Sequence, residues 1–395
     1  MTAIEFSPYD YRIHEDPYPT YARMRAEAPL YRNDEFDFWA LSRHEDVVAA
    51  FRNLDVFSNA NGVSLDPSAY GPHAHRTMSL LATDPPVHTR MRSIVSKTFT
   101  PKKIGALEGR IREITLEHLE PALDGGSFDF IDDLAGRVPM DVISELVGVP
   151  TADRAELRRL ADLLVHREEG TYDVTPAGFE AAIALFAYYD ELMRDRRANP
   201  RDDLTTELLT TDYDGERLTD EEINAFLFLL VVAGNETTTK LLGNAWFWAW
   251  TNPDERAKPF ADPARVHDWV EETLRYDGST QMVLRTVKSP IEVHGTELGV
   301  GERVFLVIGS ANRDERVFDR PGDYDLDRVT SDLLAFGSGR HFCLGALLAR
   351  LETRVVLDEL LRRVTDYDID PEGARRVHSA NVRGFAHLPT TVVPR

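Results

Sequence analysis

The chain has 395 residues, and Asp plus Glu outnumber Lys plus Arg by 67 to 45, for a formal net charge of −22. Hydrophobic residues at 43% supply a full core, while the acidic excess argues against nucleic acid or an anionic membrane as a partner. The sole cysteine, Cys343, excludes an internal disulfide. The segment Met1 to Pro8 has neither a basic nor an apolar stretch, so it reads as neither signal peptide nor anchor. The longest uniformly non-polar run, 225–234, is half of the ~20 residues a membrane span needs. The expectation is a soluble, cytoplasmic, monomeric protein.

In chain order, Thr20 to Ala28 predicts a short helix, Phe38 to Leu41 a strand and His44 to Asn53 a helix. Residues 58–84 mix Asn, Gly, Pro, Ser and His without a period, which predicts a long loop of the kind that carries function. Pro85 to Phe99 predicts a helix with Pro in its first turn, on which His88 and Arg92 share a face. From Arg90 to Arg112 seven basic residues stand against one acid, Glu108, a local reversal of charge suited to docking an acidic protein. Helices are then predicted over 104–123, 138–147, 152–166, 176–198 and 204–210, with a polar connection at 167–175. No repeat or linker divides the chain, so one domain is expected.

Thr219-Asp220-Glu221-Glu222 has the form of a capping box. Helical signals persist from there to about residue 251, where Asn252-Pro253 stops them. The first half of this helix is apolar all round, which predicts burial. Into it come Gly234, Asn235, Glu236 and three consecutive threonines, of which the glycine and the threonines are poor helix formers. Threonine hydroxyls can bond the preceding turn and open the helix locally, so this polar break marks a candidate site. Further on, Glu272 and Arg275 are three apart on one helical face. Val283 to Val287 and Arg303 to Ile308 predict strands, with Gly295, Gly299 and Gly301 marking turns.

The stretch Phe336-Gly337-Ser338-Gly339-Arg340-His341-Phe342-Cys343-Leu344-Gly345 precedes a predicted helix from Leu344 to Val364. A sulfur just ahead of a helix N-terminus faces free N–H groups and the positive end of the helix dipole, which favour thiolate. Glycines let the chain bend around that sulfur and let a flat partner approach. Such a set suits a sulfur that ligates a metal in a planar macrocycle. The plainer alternative is a buried structural cysteine near a turn.

This stretch is similar to the haem-ligand loop of the cytochrome P-450 superfamily, F-G-x-G-x-H-x-C-x-G, with every fixed position filled. The resemblance extends from Asp16-Pro17 to the C-terminus. It implies a mainly α, single-domain fold with a small β lobe, haem b lying between the long central helix and the Cys-loop helix, and Cys343 as the iron ligand. It implies haem contacts from His88, Arg92, Ala233, Arg285, Phe336, Gly337, His341 and Gly345. Ala233-Gly234-Asn235-Glu236-Thr237 matches the family's oxygen-activating groove, in which Thr237 would hold the reduced dioxygen and Glu236 would relay protons. Glu272, Arg275 and Arg328 would form a buried structural cluster. Leu229, Val232, Ala233, Gln281, Met282 and Phe385 would line the substrate pocket, with 58–84 as a roof and 152–199 as a lid. Two departures stand out: Leu333 where many relatives have His, and Asp277-Gly278-Ser279 where many have Pro.

The implied function is a monooxygenase inserting one oxygen atom from O₂ into a hydrophobic small molecule such as a terpenoid, lipid, polyketide or aromatic. The chain has no G-x-G-x-x-G after a strand and no second thiolate, so electrons would come from a ferredoxin and its NAD(P)H-dependent reductase. The basic run at 90–112 would be its docking patch. The alternatives are a peroxide-driven or non-oxygenating haem-thiolate enzyme, and a haem-binding protein without turnover.

Overall fold

The computed structural model describes residues 3–165, 172–212 and 215–395. The helices that frame its interior are α1 (Val87–Val95), α2 (Val138–Val147), α3 (Arg154–Val165), α4 (Pro176–Ala198), α5 (Asp220–Thr251), α6 (Val266–Asp277) and α7 (Ala346–Arg363). The other helices, among them His44–Arg52 and Glu108–Asp124, pack outside these. The connection expected at 167–175 lies for the most part outside the described residues.

The long helix α5 organises the rest. Thr219 accepts from the Glu222 N–H at 3.2 Å, and the Glu222 carboxylate accepts from the Thr219 N–H at 2.9 Å, so the predicted capping box is closed. Helices α2, α4, α6 and α7 pack on α5, and α3 lies between it and α4. By length and hydropathy α5 could cross a membrane, yet 67% of its most apolar stretch is buried in this protein, so it is the core helix. The expected opening at the threonines does not occur. Thr237 and Thr238 donate to the Ala233 and Gly234 carbonyls at 2.8 and 3.2 Å, and the helix continues unbroken to Thr251.

The β lobe is a five-stranded sheet of β1 (Leu30–Asn33), β2 (Phe38–Leu41), β3 (Phe57–Ser58), β4 (Val283–Val287) and β5 (Arg303–Leu306), in the order β1-β2-β5-β4-β3. Only β2 and β5 are parallel, with Trp39 opposite Val304. A three-stranded sheet of Ser127–Asp129, Pro389–Pro394 and Val364–Ile369 closes the far end of the molecule. It is tied to α5 by Tyr367, which stacks on Trp246 at 3.5 Å and donates its hydroxyl to the Trp246 carbonyl at 2.8 Å.

Several boundaries differ from the sequence expectation for local reasons. Helix α1 ends at Val95, where the Ser96 and Thr98 hydroxyls bond the Arg92 and Val95 carbonyls at 2.6 Å each. The helix expected over 104–123 is two, Pro101–Ala106 and Glu108–Asp124. Helix α7 begins at Ala346 rather than Leu344, which leaves Cys343 in the loop. Residues 58–84 hold a short helix, His75–Met78, and a 3₁₀ turn at Ser79–Ala82. The basic run is not an unpaired patch. Arg90 pairs with Glu222, Lys103 with Glu207 at 2.7 Å, Arg110 with Glu145 at 2.8 Å, and Arg112 with Glu359.

Behind the site, Arg275 is fully buried and holds Glu272 through two bonds of 2.7 and 2.8 Å. It also donates to the Asn312, Pro321 and Asp323 carbonyls at 3.0–3.1 Å. Arg328 completes the cluster at 3.3 Å from Glu272. Arg275→Met leaves the Glu272 carboxylate buried beside Arg328 alone and strips donors from three carbonyls. A loss of ~3–5 kcal/mol is expected, read as a lower urea midpoint with an unchanged slope.

Candidate active site

Cys343 sits in a loop shaped by its glycines. Gly337 and Gly339 both have φ near +71°, and a Cβ at either would meet Phe51, its ring at 3.4 Å or its carbonyl at 3.1 Å. The Cys343 N–H donates to the Phe336 carbonyl at 3.0 Å, which closes the loop just ahead of α7. The sulfur then accepts from the N–H groups of Gly345 and Ala346. Burial is the largest influence on the thiol and pushes it up, while these N–H groups and the charges of Arg92 and Arg350 pull it down. The helix terminus thus favours thiolate as the sequence implies, but does not outweigh burial unaided. A metal cation at the sulfur would supply the remainder, since a coordinating thiol is deprotonated.

The sulfur is open to an internal cavity of about 290 Å³ between α5 and α7. Phe226, Leu229, Leu230, Ala233 and Thr237 of α5 line it, facing Phe336, Cys343, Leu344, Gly345 and Leu348. Gly345 is part of this wall, and a Cβ there would meet no protein atom within 4 Å.

One rim of the cavity gathers nitrogen donors from three distant segments. Arg92 of α1, Arg285 of β4 and His341 of the Cys343 loop line it, and the His88 ring packs against that of His341, centroids 3.9 Å apart and planes tilted by 36°. Both nitrogens of each histidine and the Arg285 Nε are buried without a hydrogen-bond partner. Desolvation, then the nearby Arg92 charge, holds His88 down at about 4. Desolvation followed by His88, Arg285 and Arg92 holds His341 down at about 2. Desolvation likewise lowers Arg285 to about 10, with Asp84 the one carboxylate that counters it. Donors of this kind, buried and unmet, fit the carboxylates of a bound group. Together with the sulfur and the bare wall at Gly345, they fit haem b.

The structure places the other predicted residues as follows. Thr237 lines the cavity, and its carbonyl accepts from the Ser279 hydroxyl at 2.6 Å. Glu236 is one position round the helix, so it does not line the cavity; it is 6% exposed and pairs with Lys240 at 3.3 Å. Of the pocket residues, Leu229 and Ala233 line the cavity, whereas Val232, Gln281, Met282 and Phe385 do not. Val232, a half-buried residue of α5, packs against the main core. The Gln281 amide donates to the Gly278 carbonyl at 2.8 Å and seats against Gly309. Met282 joins the cluster of Phe6, Tyr21 and Phe38, and Phe385 packs on Phe247 at 4.6 Å.

The departure at Asp277 has a physical account. Its carboxylate is fully buried and receives Tyr18 at 2.5 Å, Arg383 at 2.7 Å and Trp248 at 2.8 Å, so it anchors the turn ahead of Gln281 and Met282, which are buried away from the cavity.

Sequence reasoning missed Ser279, Thr280, Val283 and Ile308 in the wall. It also missed Glu352, a carboxyl 2% exposed that lines the cavity, shares a hydrogen bond with the Thr238 hydroxyl and is pushed well up by burial. Its signal was an acid at an otherwise apolar position of α7.

A family model described as Cytochrome P450 matches residues 266–377. A putative cytochrome P450 123 of Mycobacterium tuberculosis is 55% identical over 389 residues, covering 98% of this chain and 97% of that one. The structure of the cytochrome P450 CYP109Q5 from Chondromyces apiculatus superposes with a TM-score of 0.89 at 32% identity, over 99% of both chains. That of CYP109E1 from Bacillus megaterium in complex with corticosterone does so at 0.86 and 32%, over 96% of this chain and 99% of that one.

The rim makes a prediction of opposite signs. Arg285 is a buried cation without a paired carboxylate, so Arg285→Met should stabilise the haem-free protein against urea. The same change should weaken haem retention about tenfold or more, measured as the rate of haem transfer to an acceptor globin.

Proposed function

The chain belongs to the cytochrome P450 family, and we propose that Cys343 holds the iron of its haem b while Thr237 and Glu236 of α5 manage protons above an apolar substrate space. The activity is that of a cytochrome P450 monooxygenase. The observation that carries the residue assignment is one of placement. The Cys343 sulfur and the Thr237 hydroxyl, far apart in sequence, line the same cavity, and the nitrogen rim lies at its edge.

When bound, haem b supplies the iron at which dioxygen is reduced and one oxygen atom is passed to substrate. The chain's own residues supply what surrounds that chemistry. The Gly345 and Ala346 N–H groups fix the sulfur, and His88, Arg92, Arg285 and His341 would receive the propionates. Thr237 donates its hydroxyl hydrogen to the Ala233 carbonyl, so its lone pairs are free to hold a proton-bearing oxygen in the cavity. Glu236 carries protons toward it, and reaches the cavity only by parting from Lys240. This acid and hydroxyl argue for oxygen rather than peroxide as the oxidant, because a peroxide-driven enzyme needs no proton relay.

The substrate is a hydrophobic small molecule, held by Phe226, Leu229, Leu230, Ala233 and Val283 and excluded from water by them. Steroids are the first members of the panel to screen, because the related CYP109E1 binds corticosterone. Electrons come from a separate redox protein, for which we propose a ferredoxin with its NAD(P)H-dependent reductase. We read the whole chain as one soluble, cytoplasmic domain.

The reading is checked with the first compound that shifts the Soret band. Thr237→Ala should cut product formed per NAD(P)H several-fold and raise hydrogen peroxide in proportion; unchanged coupling would remove the assigned role. Cys343→Ser should lose the thiolate-type carbon monoxide spectrum altogether.

A further inference from the structure

The turn that follows α6 is hydrogen-bonded to α5 at three points. The Ser279 hydroxyl donates to the Thr237 carbonyl at 2.6 Å. Asn244 Nδ2 donates to the Asp277 carbonyl at 2.7 Å, and Trp248 Nε1 to the Asp277 carboxylate at 2.8 Å. At about 100° per residue, Thr237, Asn244 and Trp248 lie within about 20° of one line along the helix. The turn is also held from its other side, where Tyr18 and Arg383 bond the Asp277 carboxylate and the Arg383 N–H donates to the Ser279 carbonyl at 2.7 Å. Of the three points, the bond from Ser279 is the one at the cavity, which both Ser279 and Thr237 line.

We propose that Ser279 is a positioning residue for the oxygen chemistry: its hydroxyl fixes α5 at Thr237 and thereby sets where the Thr237 hydroxyl stands in the cavity. The inference rests on the reading of Thr237 as the residue that holds a proton-bearing oxygen. Ser279 acts through it.

The bond is not one the helix requires. Inside unbroken α5 the Thr237 carbonyl faces the N–H four residues on, so Ser279 takes its second lone pair. What the bond adds is direction. Apolar packing is non-directional, and the stretch of α5 ahead of Thr237 is apolar all round, so packing there specifies rotation and slide weakly. A hydrogen bond specifies both. The Thr237 hydroxyl is itself tied to the Ala233 carbonyl at 2.8 Å, so it moves with this turn of backbone. Ser279, 5% exposed, has its hydrogen committed by burial to an acceptor in the wall. A shift of about 1 Å at a catalytic group can cost about a hundredfold, so one such bond is enough to matter.

The probe is carbon monoxide bound to the ferrous, haem-loaded protein without substrate, since its C–O stretching band responds to polar groups beside the gas. Thr237→Ala should shift the band by removing a hydroxyl from that space. Ser279→Ala should shift and broaden it, and should add no further shift in the Thr237→Ala background. Ser279→Thr and Ser279→Val have the same shape and differ in the hydroxyl; the first should keep the wild-type band and the second should not. This matched pair also serves if Ser279→Ala fails to take up haem. With a plant-type ferredoxin and its NADPH-dependent reductase, hydrogen peroxide released per NADPH should rise about twofold in Ser279→Val relative to Ser279→Thr. If Thr237→Ala moves the band while the Ser279→Thr and Ser279→Val bands coincide, the role of Ser279 is overturned and that of Thr237 stands. An equal shift from Ser279→Ala with and without the Thr237 hydroxyl shows direct action on the cavity, and overturns it too. If Thr237→Ala leaves the band in place, the reading of Thr237 falls and the role of Ser279 with it.

Discussion

The buried set of Glu272, Arg275 and Arg328 is the constraint on which the site depends. Arg275 does more than neutralise Glu272, since its other nitrogens bond carbonyls at Asn312, Pro321 and Asp323. Those carbonyls belong to the irregular chain between the β lobe and the Cys343 loop, where regular structure offers no partners. One guanidinium therefore organises three turns that have no ladder of their own. Asn312 in turn accepts the Leu334 N–H at 2.7 Å, which carries the constraint to the threshold of the loop. The position of Cys343 is set from behind by charge-assisted hydrogen bonds as well as from below by α7.

Two sides of the cavity are built on different physical terms. The floor and roof are apolar and tolerate an empty space, as cavities lined by such residues do. The rim is the opposite: among the described residues the His88 and His341 rings and the Arg285 Nε find no hydrogen-bond partner, a state that costs free energy in the haem-free chain. That cost is returned when carboxylates arrive, so the rim adds to cofactor affinity what it removes from apoprotein stability. The same logic holds at the sulfur, where burial opposes the charge that a metal would require and restore. Preorganisation here is a deficit held in place by α1, β4 and the loop.

How legible was this in the sequence? The capping box at Thr219, the strand at Phe38 and the helix at 176–198 were readable because each rests on local chemistry: a cap, an alternation, an apolar period. Burial of α5 followed from its being apolar all round. The Glu272–Arg275 contact followed from spacing, and its third member from the resemblance. Which face of an element meets the cavity was not local. Val232 and Glu236 are each about 100° from a lining neighbour on α5, and no pattern in an all-apolar helix marks the difference. Gln281 and Met282 are buried away from the cavity after a turn whose Asp277, a residue of the preceding helix, is anchored by Tyr18 and Arg383 from the two ends of the chain. The paired state of Arg110 and Arg112 was equally hidden, because their acids Glu145 and Glu359 lie far along the sequence.

The outward turn of Glu236 alters what the polar break in α5 means. Read from the sequence, Glu236 and Thr237 are neighbours and look like one functional unit. In the fold they belong to different surroundings: Thr237 lines a largely apolar cavity, and the Glu236 carboxylate pairs with Lys240 away from it. Adjacency along a helix thereby becomes a boundary crossed by about one residue, with a buried ion pair on one side and apolar space on the other. A continuous helix is the element suited to such a boundary. Its backbone bonds are satisfied internally, so it can separate two environments without exposing an unpaired group to either. The threonine hydroxyls, by bonding back to Ala233 and Gly234, keep the wall closed where three poor helix formers would otherwise weaken it.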